Sequence, residues 1–83
     1  MMWLEMEHPL PVAVCAASAL GLEPHSAHAC GRLRSEVAVR VHGPADLGRA
    51  LAWLQRDPGA LSVTTEHFRY GRDGRAVALG GLP

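Results

Sequence analysis

The clearest hydrophobic pattern lies in the second half of the chain. Ser35–His42 alternates, with Val37, Val39 and Val41 on one face and Glu36, Ala38, Arg40 and His42 on the other. β-Branched residues on a single face predict a strand that covers a core. Gly43-Pro44 ends it, and Pro44 suits a first helical position, with Asp46 in the first turn complementing the helix dipole. Leu47, Ala50, Leu51 and Leu54 then fall on one helical stripe, with Arg49, Gln55 and Arg56 off it and Trp53 at its border. Asp57-Pro58-Gly59 stops that helix. Leu61–Tyr70 is rich in strand formers, but its apolar positions change parity between Val63 and Phe68, which predicts a bulge near Thr64–Glu66. Gly71-Arg72-Asp73-Gly74 signals a hairpin turn, and Arg75–Gly80 returns as a short strand.

The first half is less regular. Met2, Leu4 and Met6 alternate with Trp3, Glu5 and Glu7, the period of a half-buried strand over Met1–His8. Pro9 and Pro11 end it, and Pro11 can open a short helix through Val12–Leu20 that stops at Gly21. Gly21–Arg34 has no apolar period and reads as a loop. The composition shifts there, which divides the chain into an N-terminal strand and short helix or irregular segment, 1–34, and a strand–helix–strand–hairpin module, 35–83. The expected class is α+β, with the module in the order βαββ.

Size and composition narrow this picture. At 83 residues there is room for one domain. The two cysteines, Cys15 and Cys30, are too few for a secreted disulfide scaffold and read as buried apolar thiols in a reducing, cytoplasmic setting. Eight basic residues balance eight acidic ones, so there is no net positive charge to attract nucleic acid. All eight basic residues are arginines from Arg32 onward, and they read as a solvated face. The apolar run Val12–Leu22 is too short to span a bilayer, and acidic residues precede it where a secretion signal would carry positive charge.

Val37-Ala38-Val39-Arg40-Val41, Asp46-Leu47-Gly48-Arg49-Ala50-Leu51-Ala52-Trp53-Leu54 and Asp73-Gly74-Arg75-Ala76-Val77-Ala78-Leu79-Gly80-Gly81 together resemble one βαβββ module of the vicinal oxygen chelate superfamily, the glyoxalase and bleomycin-resistance proteins. The resemblance implies a homodimer, because that family builds an open cup from two modules. It also implies a small-molecule ligand in the cup, with Glu36, Arg40, Thr65, His67 and Arg69 facing it. The family has a metal-ligating histidine at the head of the first strand. Here Glu36 stands there, a carboxylate able to hold a divalent metal, while the last strand offers no second carboxylate.

Other candidate chemistry is sparse. His25, His28 and Cys30 are zinc-ligand types, but their spacing matches no common template. Glu66 and His67, if both lie on one strand, point to opposite faces and cannot act as a pair. No phosphate-binding glycine loop or nucleophile motif occurs. Two alternatives to the resemblance follow from the same elements: a non-enzymatic interaction module of the ferredoxin-like or ACT type that forms a dimer sheet, and a fragment of a longer two-module protein.

Overall fold

The computed structural model describes residues 1–80. The chain forms strand β1 (Met2–Met6), helix α1 (Leu10–Ala19), strands β2 (Glu23–Gly31) and β3 (Arg34–Arg40), helix α2 (Pro44–Arg56), and strands β4 (Ala60–Thr64), β5 (Phe68–Gly71) and β6 (Ala76–Ala78). The strands make one six-stranded sheet in the order β2-β3-β1-β4-β5-β6, and every neighbouring pair is antiparallel. The protein is therefore α+β, as the patterning predicts. Its first six elements follow the split-βαβ, ferredoxin-like path, in which each helix connects two parallel strands with a third between them. The β5–β6 hairpin widens the sheet beyond that frame.

β1 owes its central place to its pattern. Met2, Leu4 and Met6 are fully buried, and they face the helices together with Val37 and Val39 of β3 and Ala60 and Val63 of β4. α1 packs over β2 and β3, and α2 over β4. From the helices, Ala13, Ala17, Ala50, Trp53 and Leu54 close this core. The boundary expected near residue 34 falls in the turn between β2 and β3.

α1 begins as expected, with Pro11 in its first turn. It ends when Leu22 N–H reaches back to Ala17 O over 3.4 Å, a reversal that needs the left-handed backbone of Gly21, φ +78°. α2 runs between the expected stops.

Four expectations are corrected. Gly21–Arg34 is mostly strand rather than loop. β2 is an edge strand with little apolar surface to bury, and backbone pairing to β3 holds it, so no apolar period marks it. Leu61–Tyr70 is not one bulged strand. β4 and β5 are separate, joined by a turn at Thr65–His67, and this turn brings Val63 and Tyr70 opposite each other on the helix side. The one irregularity of β4 lies instead against Glu5/Met6 of β1. Trp53 is a core residue, 2% exposed, rather than a border one. Cys15 and Cys30 are free and exposed, not buried, because α1 buries only its Ala13–Ala17 side and Cys30 lies on the edge strand. Residues 81–83, the end of the expected module, lie outside the described residues.

Candidate functional site

The polar groups that could act on a ligand collect in three places. The first is a cleft at the end of the sheet where β3 and β4 finish and β1 begins. Gly43-Pro44 turns the chain away from the sheet after Arg40, so Val41 leaves the core face expected for it and is 43% exposed. Val41, Pro44, Leu47 and Met2 form apolar walls, and Thr65, Glu66 and His67 form the rim of a cavity of about 350 Å³. Thr65 is occupied by its own turn: its Oγ1 accepts from Phe68 N–H at 3.0 Å and from His67 N–H at 3.3 Å. That turn, rather than a strand, carries Glu66 and His67. The N-terminus of α2 borders the cleft, yet its positive end is already matched. Asp46 Oδ2 accepts the His42 N–H at 2.8 Å, and Asp46 Oδ1 pairs with Arg49. The His42 N–H, against an opposing effect of burial and with help from Arg49, holds the Asp46 carboxyl below its ordinary value.

The second place is the sheet face away from the helices. Glu5, on the central strand, lies at its middle. Arg34 Nη2 donates to Glu5 Oε2 at 2.7 Å, and Arg69 Nη2 and Ser62 Oγ donate to Glu5 Oε1 at 3.3 and 3.1 Å. Toward the β2 edge, Arg40 Nε lies 3.1 Å from Glu23, whose other oxygen accepts from His42 Nε2 at 2.9 Å. Arg40 Nη2 donates to His25 Nδ1 at 3.0 Å, and His28 Nε2 lies 3.7 Å from Glu36. The charges on this face therefore engage one another.

The five residues expected to share one ligand-facing surface divide between these places. Thr65 and His67 border the cleft, whereas Glu36, Arg40 and Arg69 lie on the open sheet face. His25 and His28 follow β2 along that face, each with a different partner. Glu36 has His28 beside it, but among the described residues no three histidine, cysteine or acidic side chains gather closely enough to hold a metal ion. The residues present do not fit a divalent-metal centre.

The third place was not legible as a site. At the opposite end of the sheet from the cleft, His8 Nε2 donates to Asp57 Oδ2 at 3.2 Å, Trp53 Nε1 donates to the same oxygen at 3.0 Å, and Gly59 N–H donates to Oδ1 at 2.8 Å. Burial pushes the Asp57 carboxyl up, but the Gly59, His8 and Trp53 hydrogen bonds outweigh it, so the net shift is downward. Ser35 Oγ donates to His8 O at 2.8 Å rather than to its ring, so Ser35, His8 and Asp57 do not form a nucleophile–base relay. The cluster is a clasp between the β1–α1 and α2–β4 connections. Its only sequence signal was Asp57-Pro58-Gly59, which reads as a helix stop.

The cleft can seat an apolar group, the open face is internally neutralised, and the clasp is structural. Comparison with protein-family models, curated proteins and solved structures returns no match, so the functional reading rests on this geometry.

Proposed function

We propose that this chain is a non-enzymatic association module that pairs with a second copy of itself through the free edge of β2 and the adjoining outer face of α1. The observation that carries this reading is the distribution of charge. Of the eight acidic and eight basic residues, only Glu23 falls within Leu10–Gly31, the stretch that forms α1 and β2. That stretch is not interior. Pro11, Val12, Cys15, Ser18 and Ala19 are exposed on α1, and most of β2 is exposed. An uncharged helix ordinarily lies buried on all sides. An exposed edge strand ordinarily carries charges that discourage pairing.

A second copy fits this surface better than an unlike partner. Two β2 edges related by a two-fold axis run antiparallel, and an uncharged surface meets its own image without like-charge repulsion. Pro24 lacks a donor, and the β2–β3 register shifts at Pro24/Ser26 and Ala29/Gly31, which leaves Ser26–Ala29 as the regular run able to pair. The vicinal-oxygen-chelate reading, a small molecule in a dimeric cup, draws support only from the apolar cleft. Its expected polar residues do not converge there.

Sedimentation of the full chain tests the proposal. The expected result is a concentration-dependent dimer that Cys15→Arg and Ser26→Lys each shift to monomer with unchanged circular dichroism. Alkylation of Cys15 and Cys30 should also slow as the protein concentration rises. A wild-type chain that stays monomeric at its highest soluble concentration refutes the reading.

A further inference from the structure

The cleft between the start of β1, the β3–α2 connection and the β4–β5 turn is apolar inside and fixed at both banks. Met2, fully buried, closes its base, and Val41, Pro44 and Leu47 wall it. Val41 keeps 43% of its surface exposed, so a molecule lying against it would remove apolar area from water. Hydrogen bonds within the chain hold both banks. On one, Thr65 Oγ1 accepts from the His67 and Phe68 N–H groups, and Leu79 N–H donates to His67 O at 2.8 Å. On the other, His42 N–H donates to Asp46 Oδ2, Asp46 N–H donates to Gly43 O at 3.1 Å, and Pro44 fixes its own φ. A site already formed loses little to ordering itself when a ligand enters. The same bonds engage most of the polar groups at the rim. Glu66 lies 3.6 Å from the Met1 amino group, and that pair adds no net charge. The His67 ring is exposed beside the cavity and has no hydrogen-bond partner among the described residues.

We infer that this cleft binds one small neutral molecule, an apolar body carrying a single polar group that meets the His67 imidazole. The volume selects a small molecule. About 350 Å³ stands at the lower end of the ~300–1,000 Å³ range of such sites, where apolar walls bury the body and a few polar groups orient it. The rim selects a neutral one. A cation would face the Met1 amino group and an anion would face Glu66, whereas a neutral ligand meets neither repulsion and leaves that pair intact. The imidazole selects the polar group. In its neutral form it offers one donor and one acceptor, so a ligand N–H, hydroxyl or carbonyl can pair with it. Among the described residues, none of Leu10–Gly31 lines the cleft, so this binding is separate from the self-association surface.

The test is amide-resolved NMR of the full chain titrated with indole and with indene, which has the same shape but a CH2 in place of the N–H. Both should give saturable shifts confined to residues 41–47 and 65–67. Val41→Glu, which puts a charge on the wall, and Val41→Phe, which fills the cavity without one, should each weaken both compounds at least several-fold, with unchanged circular dichroism. His67→Ala should weaken indole several-fold and leave indene unchanged, a split that a ring acting only as packing would not produce. Cys15→Arg, on the self-association surface, should leave the indole affinity unchanged, so either reading can fail without the other. Shifts that never saturate, or that scatter over the rest of the surface, overturn the inference. So do undiminished binding to both Val41 variants and equal loss of indole and indene in His67→Ala. The same amide shifts appearing with rising protein concentration and no added compound also overturn it, since the occupant is then a second copy.

Discussion

Gly59→Ala measures the clasp that joins the β1–α1 and α2–β4 connections at the end of the sheet. A Cβ at Gly59 would sit 2.7 Å from both Cε1 and Nε2 of His8 and 3.3 Å from the Glu7 carbonyl oxygen. Ordinary contact begins near 3.4 Å, so the imidazole must retreat by about 0.7 Å, and its bond to Asp57, already 3.2 Å long, then exceeds hydrogen-bonding reach. A hydrogen bond to a charged group is worth about 1.5–3 kcal/mol. The low end applies, because the His8 and Asp57 side chains remain 25% and 22% exposed. Alanine returns about 0.4–1 kcal/mol by restricting the unfolded chain. The net cost is about 1 kcal/mol, or a melting point lowered by about 4–8 °C for a domain of this size. In a His8→Ala background the obstacle is gone, and the same substitution should be neutral or stabilising by about 0.4–1 kcal/mol. Urea denaturation of the four proteins of this cycle, followed by tryptophan fluorescence, gives the coupling. If Gly59→Ala costs as much without the His8 ring as with it, the clasp does not work as described.

Other consequences can be measured alongside. Asp57 and Asp46 have folded-state values below their ordinary 3.8, so the stability they confer is complete above that value and is lost as pH falls through the folded-state values. Asp57→Asn should flatten the acid limb of a stability–pH curve, and an unchanged limb would count against the assignment. Leu4→Ala empties a fully buried position on the central strand and should cost about 3–5 kcal/mol in chemical denaturation. Glu5→Ala strips the partner from Ser62, which is 4% exposed, as well as from Arg34 and Arg69; the cost should be about 1–2 kcal/mol, carried mainly by the stranded hydroxyl. Arg72 donates to the carbonyls of Asp57, Pro58 and Ala60 at 2.8–3.2 Å, so Arg72→Ala should raise amide hydrogen exchange in β5 and β6 while leaving β1 and β3 protected.

Much of the local structure was legible because burial imposes a period. β1, β3 and α2 each show one face to the core, and Met2/Leu4/Met6, Val37/Val39 and Leu47/Ala50/Leu51/Leu54 register it residue by residue. Gly21, Pro44 and the Gly71–Gly74 turn act through backbone geometry alone, and they stop or start elements where their chemistry requires. β2 was illegible for the converse reason. An edge strand paired on one side needs no apolar face, so its residues resemble a loop.

The sequence by itself determined the α+β class, the two helices and the strands with a buried face, because local propensity and periodicity act within a few residues. Tertiary structure decided where those pieces stand. It set β1 between β3 and β4, where Met2, Leu4 and Met6 meet both neighbours. It sent Thr65 and His67 to the cleft and Glu36, Arg40 and Arg69 to the open face, because a side chain's neighbours depend on strand order, and strand order depends on contacts far apart in the chain. It also left Ala76 and Ala78 of β6 exposed beside Phe68 at the edge of the sheet, which follows only from where β6 pairs.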